Sequence, residues 1–385
     1  MGKTFDFVPA TELDYRARAE KRLPRFLFDY IDGGANDEQT LAANVHDFSK
    51  VRLKQRVLHD VSRIDTSATL AGQAVSMPMV LAPIGMAGMM ARRGEAQAVR
   101  VANAAGLPFT LSTVGICSIE ELQSVASKPF WFQLYMIRDR VAVQSLLKRA
   151  LAAGCTTLVF TVDLPLTGMR HRDTRNGMLT DSLRGKVGKV RQLVTRPGWI
   201  QDVALRGKPL TFGNLTELVP DATNLNSYKA WIDAQFDPSV NWADIAWLRG
   251  IWPGKLILKG ILEVEDALAA ASVGADGIVV SNHGGRQLDS VASTISKLPA
   301  IADAVRERLE VYLDGGVRSG VDVFKALALG ARGVLIGRPW IWALAGSGAT
   351  GLADLLGTFK REFEVAMALT GVTCVSGICG DLIDS

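Results

Sequence analysis

The chain has 385 residues, 48% hydrophobic and 21% charged, which is the composition of a folded globular protein with room for one large or two medium domains. A net charge of +4 is too weak and dispersed to argue for nucleic acid, and the four cysteines (Cys117, Cys155, Cys374, Cys379) form neither a CxxC pair nor a zinc spacing. They read as reduced intracellular thiols, with no metal site. The N-terminal MGKTFDF lacks the apolar core of a signal peptide, and Asp6 stands where a myristoylation signal carries Ser or Thr. The longest uncharged stretch, Met77 to Ala91, is broken by Pro78, Pro83, Gly85 and Gly88, so no bilayer-crossing helix is expected.

In chain order, short apolar runs alternate with helical patterns. The runs are MVLAP (79–83), FTLS (109–112), FWFQLY (130–135), TLVFTVD (157–163), LILKG (256–260), GIVVS (277–281), VYLDGG (311–316) and GVLIG (333–337). Their continuous rather than alternating apolarity predicts strands buried on both faces, as in a parallel sheet wrapped by helices. The helical patterns cover Glu95–Ala105, Ile119–Ser127, Arg138–Ala153, Trp242–Arg249, Val264–Val273, Thr294–Arg308 and Gly320–Leu329. VGADGIVVS (from Val273) and LGARGVLIG (from Leu329) match position for position 56 residues apart, the offset of two strand–helix units. Eight such units predict a (β/α)8 TIM barrel over 76–345, preceded by a helical segment (1–75), interrupted by an insertion (165–240) and followed by a second helical segment (346–385). The alternative, a doubly wound open sheet, would display GxGxxG after its first strand. The one literal match, GSGATG at Gly346 to Gly351, follows the helix-like WIWALA instead.

In a barrel, functional groups come from the C-terminal strand ends, so the residues terminating the eight runs are the candidates. They are Pro83 and Gly85, Ser112, Gln133 and Tyr135, Thr161 and Asp163, Lys259, Ser281 and His283, Asp314, and Gly337 with Arg338. Taken singly, a strand-end Asp or Ser commonly caps the next helix and a strand-end Lys snorkels to solvent. A ring of polar groups on one rim points to a ligand. The last two strands end in DGGVRSG and GRP, giving Gly315, Gly316, Arg318, Gly337 and Arg338, bare amides and guanidinium forks where barrels hold a phosphate. The earlier strands offer neutral hydrogen-bonding groups and the ammonium of Lys259, which suit a flat heterocycle. Phosphate at one end and flat ring at the other describe flavin mononucleotide (FMN). The sixth run stops at Asn282, His283, Gly284, Gly285 and Arg286, setting a base beside a guanidinium, a combination suited to a carboxylate substrate.

The stretches SNHGGRQLD, LDGGVRSGVDVFKALALGA, FQLYMIRDR, TLVFTVDLPLTGMRHRD and LPRFLFDYIDGGANDEQTL together resemble the FMN-dependent L-2-hydroxy acid oxidising family, over about Tyr15 to Leu369. Quinone-linked bacterial L-lactate dehydrogenases are the most similar branch and mandelate dehydrogenase the next. The resemblance implies FMN as cofactor and a small 2-hydroxy acid as substrate. It implies His283 as base paired with Asp163, Arg286 and Arg170 as the clamp on the substrate carboxylate, and Tyr30 and Tyr135 as further substrate contacts. It places Ala82, Pro83 and Ser112 near the reactive edge of the flavin, Gln133 and Thr161 on its pyrimidine side, and Ser281 beside them. Asp314 is expected on the ribityl chain, and Gly315, Gly316, Arg318, Gly337 and Arg338 on the phosphate. Lys259 at about 4 Å would stabilise the reduced ring by roughly 4 kcal/mol at an effective dielectric of 20, raising the two-electron potential by roughly 85 mV. Whether His283 takes the α-proton or the hydroxyl proton stays open.

Gly85 and Val114 stand where oxygen-reactive relatives often carry Ala and Trp, so a dehydrogenase passing electrons to a membrane quinone is expected, with an oxidase or a mandelate dehydrogenase as alternatives. A non-redox FMN or phosphate-sugar barrel, and a noncatalytic carboxylate-binding barrel, are readings of other classes. Within the insertion, residues 182–209 hold seven Lys or Arg (Arg184, Lys186, Lys189, Arg191, Arg196, Arg206, Lys208) against Asp202 alone. Leu193, Val194, Trp199, Ile200, Val203 and Leu205 are interleaved among them, as in a segment lying on an anionic membrane surface. The expected location is therefore cytoplasmic, on the inner face of the cell membrane. A homo-tetramer is expected from the resemblance.

Overall fold

The computed structural model describes residues 8–178, 183–216, 218–219 and 234–384. The N-terminal heptad read for targeting signals, Ser182 and the side chains of Arg184 and Lys186 in the basic segment, and 220–233 of the insertion lie outside the described residues.

Eight parallel strands form one sheet: β1 (Met79–Leu81), β2 (Thr110–Ser112), β3 (Trp131–Leu134), β4 (Thr157–Thr161), β5 (Lys255–Ile261), β6 (Gly277–Val280), β7 (Glu310–Asp314) and β8 (Gly333–Ile336). From β2 to β8 each strand pairs with the next in sequence, and β8 pairs with β1. A parallel bridge between Leu81 and Phe109 closes the circle as a TIM barrel. The apolar runs are strands because both faces are covered: every described residue of β1, β2, β3, β4 and β6 is buried.

Strand side chains alternate with a period of two, so each strand contributes one inward residue low in the barrel and another two positions later. The low layer includes Val80, Trp131, Val159, Ile257, Val279, Tyr312 and Leu335, a packed apolar cluster completed by Leu70, Ala71 and Val75. These last three belong to a hairpin, Ala68–Leu70 with Gln73–Val75, that stoppers the N-terminal end. Two residues further along, the same strands present Ala82, Gln133, Thr161, Lys259, Ser281, Asp314 and Gly337. The polar rim thus stands on a largely apolar floor.

The insertion after β4 is partly helical (His171–Arg175, Leu183–Val194 and Ile200–Leu205), and Trp242–Ile251 supplies the barrel helix before β5. The basic segment departs from expectation in one respect. Trp199 is 4% exposed and donates its indole N–H to Met89 O at 2.8 Å, and Val203 is fully buried. Leu193 and Ile200 pack partly against the same core. These side chains dock the segment on the barrel and do not face outward. Among the described side chains of the segment, Val187, Val190, Val194 and Leu205 stay at the surface, each at least 60% exposed. Among the described residues, no helix is long and apolar enough to cross a membrane.

The last helix, Arg338–Leu369, contains a non-helical Gly348 at φ +67°, so GSGATG straddles a kink and is not a nucleotide-binding turn. Trp199→Ala should lower stability by about 3–5 kcal/mol, the cost of emptying a large aromatic site in a core. A Trp199→Ala protein with wild-type Tm in a thermal melt would mean that the side chain is not a structural anchor.

Candidate active site

The upper layer is wired together by hydrogen bonds. Ser112 Oγ donates to Gln133 Oε1 at 3.1 Å, and Gln133 Nε2 donates to Thr161 Oγ1 at 3.0 Å. Across the barrel, Lys259 Nζ donates to Ser281 Oγ at 3.0 Å and pairs with Asp314 Oδ2 at 2.9 Å. Lys259 is 4% exposed, yet its pKa is raised: burial works against the charge, and Asp314 and Asp163 outweigh it. Its ammonium is therefore not a lone charge. The roughly 4 kcal/mol expected of an isolated cation becomes an upper bound, because Asp314 cancels part of its field.

Gly260, at φ +112°, marks a register shift between β5 and β6. A Cβ there would sit 2.6 Å from both Cβ and Cγ of Asp163. Glycine is what lets this carboxylate approach β5 and reach across to His283.

His283, Gly284 and Gly285 all have left-handed backbone, with φ of 56°, 64° and 73°. Glycine adopts this readily, whereas the imidazole-bearing residue is strained, a feature that gathers at functional sites. The turn is held by its neighbours: Ser281 Oγ accepts from the His283 amide at 3.1 Å, and Asn282 Oδ1 accepts from the Gly285 amide at 3.0 Å. His283 Nδ1 lies 2.8 Å from Asp163 Oδ1, which leaves Nε2 as the unpaired ring nitrogen. Burial pushes the imidazole pKa down; Asp163 pulls it back, Lys259 and Arg170 press it lower again, and the net shift is downward. For Asp163, burial acts to raise the pKa, but His283 and Lys259 prevail and hold it below the ordinary carboxylate value. A neutral imidazole oriented by an ionised carboxylate is the arrangement of a general base.

Arg286 projects from the same turn. Its Nη1 donates to Tyr30 O at 2.6 Å and Gly33 O at 2.9 Å, and its guanidinium lies 5.0 Å from the Tyr30 ring centroid. Burial, then the neighbouring Arg170, push its pKa down to about 10. Arg170 Nε makes a long hydrogen bond, 3.5 Å, to Arg286 O. Arg338 donates to Asp32 O, Gly284 O and Gly33 O at 2.8–3.1 Å. The carbonyls that end the helix Arg25–Asp32 are thus capped by two arginines, one beside His283 and one at the start of the helix after β8.

One cavity of about 960 Å³ is lined by Tyr30, Ala82, Pro83, Tyr135, Thr161, Arg170, Lys259, His283, Arg286, Asp314, Gly315, Gly316, Arg318, Gly337 and Arg338. Four further candidates, Ser112, Gln133, Asp163 and Ser281, do not line it. They sit behind the wall and hydrogen-bond to one another or to residues that do.

The residues present fit FMN. Asp314 Oδ1 is buried and accepts no hydrogen bond from the protein, leaving an acceptor for a sugar-like hydroxyl. A side chain on Gly337 would meet nothing within 4 Å, so the backbone there is open to a ligand, and the Arg318 guanidinium lies 5.3 Å over the Trp342 ring nearby. Gly85 is more tightly constrained than its sequence indicates: a Cβ would stand 2.7 Å from Val114 Cγ2 and 3.2 Å from Tyr30 Oη.

Three contributions were missed in the sequence. Asn44 and Asn282 exchange side-chain hydrogen bonds at 2.8 and 2.9 Å, and Asp289 accepts from the amides of Asp37, Gln39 and Thr40 at 2.8–3.4 Å. Both tie the N-terminal segment to the His283 turn. The third, Asp173, lines the cavity within 4.0 Å of Arg170.

The description FMN-dependent dehydrogenase matches residues 19–385. L-lactate dehydrogenase of Caulobacter vibrioides (strain NA1000 / CB15N) is 52% identical over 371 residues, 96% of each chain. That of Alcaligenes faecalis is 49% identical over 374 residues, 97% of this chain and 98% of its own. Among solved structures, the monotopic membrane protein (S)-mandelate dehydrogenase superposes with a TM-score of 0.91 at 36% identity, covering 98% of this chain and 99% of that one. A mandelate oxidase superposes at 0.83 and 36%, covering 96% and 97%.

Because the lowered pKa leaves the imidazole neutral, turnover that needs the free base should rise with pH through a midpoint below the ordinary histidine value of about 6.5 and then level off. The pH profile of kcat/KM for oxidation of a 2-hydroxy acid measures this, and an acid limb centred above pH 7 contradicts it.

Proposed function

Because the chain belongs to the FMN-dependent dehydrogenase family, we propose that it oxidises L-lactate to pyruvate and that 1–385 acts as one FMN-binding hydroxy acid dehydrogenase domain. The observation that carries this reading is the convergence of His283, paired to Asp163 at 2.8 Å, with Arg170, Arg286 and Lys259 around one cavity. Lactate is favoured over other 2-hydroxy acids by relatives named L-lactate dehydrogenase at 49–52% identity, against 36% for the mandelate enzymes.

In this reading Arg286 and Arg170 grip the substrate carboxylate, with the Tyr30 and Tyr135 hydroxyls completing its contacts. Two guanidiniums give a planar, bidentate match that a lysine cannot. The grip orients the α-carbon and its hydroxyl toward His283 Nε2, which takes the proton, and Asp163 stabilises the imidazolium that results. FMN, when bound, supplies the two-electron acceptor. Lys259 holds positive charge against the ring edge with its position fixed by Asp314 and Ser281. Ala82, Pro83, Ser112, Gln133 and Thr161 shape the ring's seat. Asp314 meets the ribityl hydroxyls, and Gly315, Gly316, Arg318, Gly337 and Arg338 take the phosphate.

A membrane quinone receives the electrons in this proposal, and the protein sits peripherally on the inner, anionic face of the membrane as a homo-tetramer. The crowded Gly85–Val114 contact supports a dehydrogenase, since that is where oxygen-reactive relatives are expected to differ. Attachment is supported by Val187, Val190 and Val194, which recur at helical spacing on one exposed face of Leu183–Val194, with exposed Arg191, Arg206 and Lys208 close in sequence. The monotopic membrane relative is consistent with this. The tetramer is carried over from the family resemblance.

Anaerobic addition of L-lactate to the yellow holoprotein should bleach the flavin, and His283→Gln should keep the cofactor while losing turnover by several orders of magnitude. Flavin unmoved by lactate, or near-normal activity in His283→Gln, overturns the assignment. Replacing Val187, Val190 and Val194 by Asp should release the protein from vesicles containing anionic lipid without affecting lactate oxidation by a soluble dye. Retained vesicle binding rules out this face.

A further inference from the structure

Asp173 differs from the other buried carboxylates around the site. Its side chain is 4% exposed, it lines the cavity, and its Oδ1 accepts no hydrogen bond from the protein. Arg170 Nη1 stands 4.0 Å from Oδ2, beyond hydrogen-bond reach. Asp32 is equally buried, yet it is gripped by Arg16 at 2.6 and 2.7 Å and by Arg172 at 2.7 Å. Buried carboxylates ordinarily finish with such partners.

The environment explains why one has been left loose. Arg170 lies close enough to Arg286 to disfavour its charge, and two guanidiniums facing one cavity call for a counter-anion. The nearby acid Asp29 is already held by Arg25 at 2.9 Å and Asn176 at 3.1 Å. Arg172 is already committed to Asp32 and Glu38. Lys189, from the helix Leu183–Val194, donates to Met178 O at 3.2 Å. Asp173 is placed in the first turn after Arg170, with its amide donating to Arg170 O at 3.1 Å, so its carboxylate cannot move far from that guanidinium.

We propose that Asp173 is a positioning residue that stands in for the substrate's carboxylate. Ionised, it balances Arg170 and Arg286 before substrate arrives, and it takes up a proton from solvent when a hydroxy acid's carboxylate engages them. No bond to carbon forms or breaks in this exchange. The loose 4.0 Å contact suits a partner that must be displaced in every cycle. Burial, the largest influence, already raises the Asp173 pKa; Arg286, Arg170 and Arg172 oppose the rise and Asp29 adds to it. A second carboxylate in the cavity shifts it further the same way.

The inference rests on the reading of Arg170 and Arg286 as a carboxylate clamp. Its signature is linkage between anion binding and protons. If bound anion favours protonated Asp173, affinity for oxalate, read from flavin absorbance of the holoenzyme, strengthens as pH falls and levels off below the carboxyl's titration. His283 also gains a proton with the same sign, so the comparison is made in His283→Gln. There oxalate binding should still take up protons, measured by calorimetry in two buffers of different ionisation enthalpy, and Asp173→Asn added to it should abolish the uptake. In an otherwise wild-type chain, Asp173→Asn should lower KM for the hydroxy acid roughly fivefold at pH 7, the scale of a screened charge contact, with kcat little changed. Asp173→Glu should restore the proton uptake. A raised or unchanged KM in Asp173→Asn, or no uptake in His283→Gln, overturns the proposal. The two readings fail separately: oxalate that binds equally well to Arg286→Lys indicts the clamp, whereas weakened binding there without proton uptake indicts Asp173 alone.

Discussion

The two-residue period of a closed parallel barrel governs this molecule. Once Val80, Trp131, Val159, Ile257, Val279, Tyr312 and Leu335 fill the interior as one apolar layer, the residues two positions later have nowhere to point but the C-terminal mouth. Polar groups there cannot sink into the floor, and helices outside the strands block escape to the flank. They satisfy one another, as Ser112, Gln133 and Thr161 do on one side and Ser281, Lys259 and Asp314 on the other. A half-satisfied ring would be costly. What the ring leaves over, such as Asp314 Oδ1, is therefore available to a ligand.

Charge is organised on the same plan. Around the cavity stand Lys259, Arg170, Arg286, Arg318 and Arg338, opposed by Asp163, Asp173 and Asp314, with a neutral imidazole between them. The excess is positive, which suits a phosphate at one end and a carboxylate at the other. Yet the charges are not interchangeable. Lys259 keeps its proton because Asp314 and Asp163 hold it, whereas His283 loses its own because burial, Lys259 and Arg170 outweigh Asp163. A base and a fixed cation thus coexist within one buried site: two carboxylates outweigh burial at Lys259, and one does not at His283.

The barrel was legible because its strands are continuous apolar runs closed by small or polar residues, a pattern that needs no long-range information. The rim residues followed from the rule about strand ends. Trp199 and Val203 were misread because an apolar side chain among basic ones looks the same whether it faces a membrane or a groove in its own barrel. Their burial against the barrel, with the indole bond from Trp199 to Met89 O, separates the two. Asp173 was invisible for the opposite reason: inside the short helix His171–Arg175 it has the sequence signature of a surface residue. Gly260 gave a faint signal as a glycine ending a strand, but its reason, the room it leaves for Asp163, exists only in three dimensions.

The N-terminal segment shows how a ligand at one end of the cavity can bear on the other. The helix Arg25–Asp32 ends in carbonyls that accept from Arg286 and Arg338 together, with Gly33 O shared by both. A helix C-terminus attracts cations, so this carbonyl cluster holds two guanidiniums near each other against their mutual repulsion. Arg338 also donates to Gly284 O inside the His283 turn, and Ala35 N donates to Gly285 O, closing the loop back to the same segment. An anion settling against Arg338 would ease that repulsion and leave Arg286 better held. The segment that precedes the barrel is therefore part of the site's wall, because the same carbonyls that end its helix hold the two arginines beside the His283 turn.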